Sequence, residues 1–286
     1  MRKTIVAPGL LAVSLLALSA RAAAPADPAP VVAAERAFAA RASVAGIGPS
    51  FLESMTDEAI VFSPDPLLAR AVYGARPPGK TPREGGPLLN WWPNFVGVAR
   101  SGDLGFTTGP ATINGKPLNI FYFTVWARQP DGGWKWLFDG GANADNAAAP
   151  GPDAAPAVMP PGDPTPLAPA AAMDQVRAAE MALAARARTD AAAAVKAVLA
   201  ADAHVQGSGA APSTTPAAVD RELATRARSI AFGPLGGGAS KAGDLAWTYG
   251  DARWETGRGH YVRIWQRRAG KWALVFDQII AVEKPA

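Results

Sequence analysis

Two glutamates are the residues best suited to acid–base chemistry, each on the apolar stripe of a helix-like segment. In VVAAERAFAARA (31–42), Val31, Val32, Glu35, Phe38 and Ala39 fall on one helical face, with Arg36 and Arg41 elsewhere. Met173, Val176, Glu180, Leu183 and Ala187 repeat the pattern in the second half. A carboxyl turned toward a low-dielectric interior has a raised pKa and can serve as a general acid or base. The competing reading is a structural carboxylate, paired with a nearby arginine or accepting backbone N–H bonds.

The second half carries the denser polar set. Tyr249, Asp251 and Arg253 alternate along one strand-like run and so share a face. His260 begins the next run, and Arg263 lies two residues from both Tyr261 and Trp265. A carboxylate base, a phenol and a second acid are what an enolate-forming reaction needs. The candidate catalytic set is therefore Glu180, Tyr249, Asp251 and His260. The candidate ligand contacts are Glu35, Tyr122, Trp247, Trp254 and Arg263, with Trp247 and Trp254 at a pocket mouth. Against the catalytic reading, a lone strand histidine is more often a satisfied structural group. Thr108 and Pro110 stand in the first half where Tyr249 and Asp251 stand in the second, so the first half does not share that chemistry. Asp103 and Asp244 follow glycine at a turn, where aspartate bonds local backbone N–H groups. Asp139 and Asp277 alternate away from the aromatic side of the last strand and so are predicted to face solvent or a partner domain.

These residues pair up because the chain is duplicated. SGDLGFTTG (101–109) returns as AGDLAWTYG (242–250). Asp103 matches Asp244 at an offset of 141, Trp126 matches Trp265 at 139, and Asp139 matches Asp277 at 138. A slowly drifting offset means a few loop deletions within one long repeat. Each copy reads as two or three helices followed by a four-stranded antiparallel meander, an α+β layout with helices on one sheet face. In the first copy, Ser50 and Glu53 form a capping-box pattern for a short second helix. In the second, Thr189 or Asp190 caps one helix, and Thr215 with Pro216 caps another. Gly236–Gly238 has neither the setting nor the lysine of a phosphate loop and reads as a hinge.

The expected boundaries are a secretory signal at 1–24, a first domain at 25–142, an Ala/Pro linker at 143–170 and a second domain at 171–286. Arg2 and Lys3 precede the apolar run 9–18, and small residues follow it, as in a cleaved signal. The mature protein is accordingly expected in the periplasm or secreted, with no membrane association after cleavage. The linker's prolines and scarcity of large apolar side chains predict a semi-stiff spacer.

Composition narrows the chemistry further. The 286 residues are 49% hydrophobic and 18% charged, with a formal net charge of +4. Without Arg2, Lys3 and Arg21, 25 basic residues face 24 acidic ones, which leaves no electrostatic case for nucleic acid. There is no cysteine and there are only two histidines, so thiol chemistry is excluded and neither a metal site nor any other cofactor is expected.

The motifs Glu35–Phe38 (Glu-Arg-x-Phe), Ser101–Gly109 and Asp131-Gly-Gly-Trp134-Lys135 followed by Asp139-Gly-Gly carry a family resemblance. The sequence resembles the nuclear transport factor 2-like superfamily, in its SnoaL-like, ketosteroid-isomerase-like branch, and within it the "domain of unknown function 4440" group. The second half departs, with Ala269-Gly-Lys-Trp272 and Asp277-Gln-Ile in place of the glycine pairs. The resemblance implies two tandem cystatin-like cone domains, each a curved antiparallel sheet wrapped on N-terminal helices, paired through their sheets as an intrachain pseudo-dimer. Relatives of this kind often hold a small apolar ligand at the open end of the cone, and the leading reading is a non-catalytic binding module that holds a small apolar or aromatic molecule in one or both cones. The alternative is an isomerase or dehydratase using the acids of the second domain. A third class is a scaffold whose cones are filled by side chains. Convergence of Glu180, Tyr249 and His260 on an open cavity would favour the enzyme, and an apolar cavity with few polar groups would favour binding.

Overall fold

Pro28 starts the first helix and Gly46, at φ 84°, stops it, so α1 (Ala29–Ala45) buries one stripe: Val31, Glu35, Phe38, Ala39 and Ala42. The structure is a computed structural model describing residues 24–77 and 79–283; the secretion signal predicted at 1–24 lies outside these, Ala24 excepted. After α1 come α2 (Ile47–Ser54), β1 (Met55–Phe62), β2 (Pro66–Leu68), α3 (Ala69–Gly74) and a 3₁₀ turn at Pro82–Glu84. The strands β3 (Leu89–Trp91), β4 (Phe95–Val98), β5 (Leu104–Ile113), β6 (Lys116–Arg128) and β7 (Trp134–Asn143) complete the domain. The predicted cap at Ser50 is not one. Ser50 sits inside α2 and its hydroxyl donates to the Ile47 carbonyl at 3.0 Å, while Glu53 forms a two-pronged ion pair with Arg41.

Beyond the linker, which carries the short β8 (Ala157–Val158), the plan repeats. It runs α4 (Pro169–Ala187), α5 (Ala191–Lys196), β9 (Leu199–Gln206), α6 (Pro216–Ala224), β10 (Ala231–Ala239), β11 (Leu245–Trp254), β12 (Gly257–Arg268) and β13 (Lys271–Val282). Asp190 and Thr215 cap α5 and α6, their side chains accepting from the backbone N–H groups of Ala193 and Ala218. The chain is thus α+β, with two domains each made of a curved sheet packed on helices.

The sheets are mixed rather than wholly antiparallel. The first strand of each domain lies parallel to its last, β1 beside β7 and β9 beside β13. The antiparallel meander predicted from the sequence therefore gains one parallel edge, a non-local pairing that alternation cannot reveal. The glycines at 236–238 lie inside β10 rather than at a hinge. A Cβ on Gly237 would come within 2.0 Å of the Trp247 carbonyl oxygen, so this strand approaches β11 only because it lacks side chains there.

A β-bulge in each last strand overturns the expected direction of two aspartates. Trp126 pairs with Trp136 but Val125 pairs with Phe138, leaving Leu137 as the extra residue; Trp265 pairs with Leu274 but Ile264 with Phe276, leaving Val275. The side-chain period slips by one at the bulge. Trp136 and Leu274 therefore pack under the helices, Phe138 and Phe276 point to the opposite face, and Asp139 and Asp277 turn inward with Trp136 and Leu274.

The outer faces of the two sheets meet in one shared core. Phe106, Phe123, Val125 and Phe138 of domain 1 mix with Trp247, Val262, Ile264 and Phe276 of domain 2. Phe123 and Phe276 stack with ring centroids 4.1 Å apart. The turns before β5 and β11 lock together by a near-twofold exchange. Asp103 accepts the backbone N–H of Lys241 at 3.0 Å and Asp244 accepts that of Arg100, also at 3.0 Å. These aspartates were predicted to bond backbone N–H groups of their own turns; within those turns they accept the Ser101 and Ser240 hydroxyls, and their backbone N–H partners belong to the other domain's equivalent turn. The linker is no free spacer either. Its β8 pairs with β4, Met159 is buried in the shared core, and Ala144 is buried at the end of β7.

Candidate functional site

In domain 2 the helix stripe delivers Glu180 to the middle of the sheet's inner face, where four donors meet it. Thr248 Oγ1 (2.6 Å) and Trp265 Nε1 (2.8 Å) donate to Oε1, and Arg263 Nη1 (2.7 Å) and the Tyr261 hydroxyl (3.3 Å) donate to Oε2. The chain of charges continues outward. Arg263 Nε donates to Asp277 Oδ1 at 2.6 Å, and Arg226 Nη1 to Asp277 Oδ2 at 2.5 Å. Burial alone would raise the pKa of Asp277; the charges of Arg226 and Arg263 overcome it and hold the carboxyl below its ordinary range. Two arginines thus balance two carboxylates, all four side chains less than one-tenth exposed. Arg263 also lies over the rings of Tyr261 and Phe232, 4.0 and 4.3 Å from their centroids.

Arg226, just past the end of α6, carries this network to the open end of the cone. There a cavity of about 240 Å³ opens between α6, the loop after β9 and the ends of β11 and β13. Ala227, Ile230, Trp254, Ile279 and Ala281 supply apolar wall; Arg226, Glu222, Ser208 and Thr225 supply polar edge. Glu222 is already engaged, accepting both the backbone N–H of Ser208 at 2.9 Å and the Ser208 hydroxyl.

Domain 1 builds the same centre without the cations. Glu35 is fully buried and accepts from Trp91 Nε1 (2.5 Å), Trp126 Nε1 (3.1 Å) and the Thr107 hydroxyl. Thr124 occupies the position of Arg263, and its hydroxyl donates to Asp139 Oδ1 at 2.8 Å. Burial lifts the pKa of Glu35, against the pull of its three donors. Burial, then the charge of Glu35, pushes Asp139 well above the usual carboxylate range. Tyr122 is buried beside them, its pKa also raised by burial and then by Glu35.

The predicted catalytic set does not converge. Tyr249, Asp251 and His260 lie on the outer face of their strands, toward domain 1, with the sheet between them and Glu180. Their partners come from both domains. His260 sits between Asp251 (Nδ1 to Oδ1, 3.1 Å) and Asp65 (Nε2 to Oδ1, 3.2 Å), with Phe62 5.0 Å away, centroid to centroid. Tyr249 stacks on Trp247 at 5.5 Å, and Trp247 belongs to the shared core rather than to a pocket mouth. Of the candidate ligand contacts, Trp254 lines the domain 2 cavity, while Glu35, Tyr122 and Arg263 are enclosed. Arg226, Glu222 and Ser208 were not foreseen; for Arg226 and Glu222 the sequence signal was their place on a predicted helix, and for Ser208 there was none. No group of three or more potential metal ligands occurs among the described residues.

No known family profile and no curated protein matches this sequence. Solved structures do. A protein of unknown function with a cystatin-like fold from Nostoc punctiforme is 14% identical, over 39% of this chain and 92% of its own, with a TM-score of 0.33. An NTF2-like protein of unknown function from Pseudomonas putida is 17% identical over 40% and 89%, at 0.33. A ketosteroid isomerase-like protein from Erwinia carotovora atroseptica is 14% identical over 39% and 96%, at 0.33.

Proposed function

We propose that this chain is an exported binding protein that holds a small, largely apolar molecule in the open end of the domain 2 cone. The observation that carries this reading is the mouth cavity itself, with five apolar walls and a polar edge at Arg226. Its volume, about 240 Å³, lies just under the range typical of drug-sized ligands, so the occupant is one or two rings in size. Binding is favoured over chemistry by the state of the acids. Every oxygen of Glu180 and Asp277 is occupied by a donor, and Glu222 is taken by Ser208. The four donors on Glu180 take up all its lone pairs, and two arginines hold Asp277 in its ionised form, so neither is suited to take a proton from a substrate. Export rests on the N-terminal charge and apolar pattern alone, and N-terminal sequencing of the mature chain checks it.

Ligand-detected NMR with a panel of one- and two-ring neutral compounds tests the binding. Saturable binding to the wild type that is abolished by Ala227→Trp, which fills the mouth, supports the proposal. Binding indifferent to that substitution in a folded variant would sink it.

A further inference from the structure

The near-twofold exchange of Asp103 and Asp244 means that any crevice where the two sheets meet is generated twice. Two such crevices exist, and they have diverged. His204 of β9 and Ile60 of β1 hold equivalent places beside Phe276 and Phe138, and Thr108 and Tyr249 hold equivalent places on β5 and β11. One crevice contains Ile60 and Tyr249 and is lined almost wholly by apolar side chains. The other, about 410 Å³, contains Thr108 and His204 and is roofed by Ala148–Pro150 of the linker.

The walls of this second crevice are tied together rather than merely adjacent. Asp145 N–H donates to the Gly209 carbonyl at 2.9 Å, and Trp92 Nε1 donates to the Pro150 carbonyl at 2.8 Å. The linker is thereby fastened to the loop after β9 on one side and to domain 1 on the other. Inside, the His204 ring lies flat on Phe95, centroids 3.8 Å apart and planes 9° from parallel. No hydrogen bond to a described residue engages its nitrogens. Burial pushes its pKa down to about 4, outweighing the charge of Asp202, so the ring is neutral and keeps one nitrogen able to accept. Phe121, Pro150 and Pro212 add apolar wall, and the one ionised group on the lining is Asp145. A site with a carboxylate at its edge and no cation disfavours anions.

We infer that the junction of the two domains is a second ligand site, taking a small uncharged aromatic molecule whose N–H or O–H donates to His204. The site exists only in the tandem chain, because its walls come from both domains and the linker. It is distinct from the mouth of domain 2: the two share no lining residue, although both border the loop at 207–214.

Indole and toluene, titrated by NMR into the full mature chain, provide the test, with benzoate as the anionic control. Indole should bind saturably and protect the amides at 145–149 from hydrogen exchange. Ala149→Trp should abolish indole binding, whereas Ala227→Trp should leave it unchanged, which separates this site from the domain 2 mouth. His204→Phe keeps the stacked ring and should weaken indole about tenfold while leaving toluene within twofold. Benzoate should bind at least tenfold more weakly than indole. Indole binding that survives Ala149→Trp, that is lost only with Ala227→Trp, or that is unaltered by His204→Phe would overturn the inference, as would no saturable indole binding at all.

Discussion

Asp244 accepts the backbone N–H of Arg100 across the domain junction, and Asp103 returns the contact to Lys241 at the equivalent position. Asp244 is fully buried and also accepts from the Ser240 hydroxyl at 2.9 Å, whereas Asp103 is half-buried. Replacing Asp244 by alanine removes the acceptor of the half-buried Arg100 N–H and of the buried Ser240 hydroxyl, and is expected to cost about 1–3 kcal/mol. Asp103→Ala should cost clearly less. Denaturant unfolding ranks the two, and faster hydrogen exchange at the Arg100 amide in Asp244→Ala locates the effect.

The two cone centres should respond to pH with opposite signs. In domain 1 the folded pKa values of Glu35 and Asp139 lie above their unfolded values, so the folded state binds more protons. Its stability is therefore fully present below the ordinary carboxyl range near pH ~4 and is lost as pH rises above it. Asp277 lies below its unfolded value, so its contribution is present above about pH 4 and is lost as pH falls. Asp139→Asn is accordingly expected to raise the melting temperature at pH 8 and to leave it unchanged at pH 4. Asp277→Asn leaves Arg226 and Arg263 short of a buried counter-charge and should cost about 3–5 kcal/mol at pH 7. Melting curves from pH 4 to 8 read both, and parallel shifts in the two variants would contradict the assignment.

Phe276 ties the domains into one folding unit. Its ring is fully buried, stacked on Phe123 and 6.3 Å from Phe106. Phe276→Ala should cost about 3–5 kcal/mol, the usual figure for deleting a buried aromatic ring. Calorimetry should show a single transition in the wild type and a lower or split one in the variant.

The repeat and the glutamates were legible because their signals are local. A turn of fixed composition and tryptophans at strand spacing survive duplication, and a helical stripe shows which face Glu35 and Glu180 occupy. Asp139 and Asp277 misled because one bulged residue in each last strand, Leu137 or Val275, reverses every side chain beyond it. Tyr249, Asp251 and His260 do share a face, as alternation required; nothing in a strand pattern says which of the sheet's two faces that is. The parallel pairing of β1 with β7 joins residues some eighty positions apart, and the cavity at Arg226 depends on a loop whose course no periodicity encodes. The linker, poor in large apolar residues, still packs, because Met159 and Ala144 fill gaps that two folded domains leave beside it.

Arg263 joins the two carboxylates of domain 2 where domain 1 has Thr124, so Arg263→Thr should leave Glu180 without a cation and Asp277 with Arg226 alone. The expected outcome is a loss of stability at pH 7 that shrinks on acidification as Asp277, deprived of one of its two cations, takes up a proton more readily. Proton uptake on folding, measured by calorimetry in buffers of different ionisation enthalpy, should increase in this variant.

Ligand binding at the mouth of domain 2 is tested most directly by native mass spectrometry of the mature chain purified from its own host. The wild type should carry one small-molecule adduct that Ala227→Trp lacks at equal folding. A wild type that arrives bare, or an Ala227→Trp variant that keeps the same adduct, would contradict it.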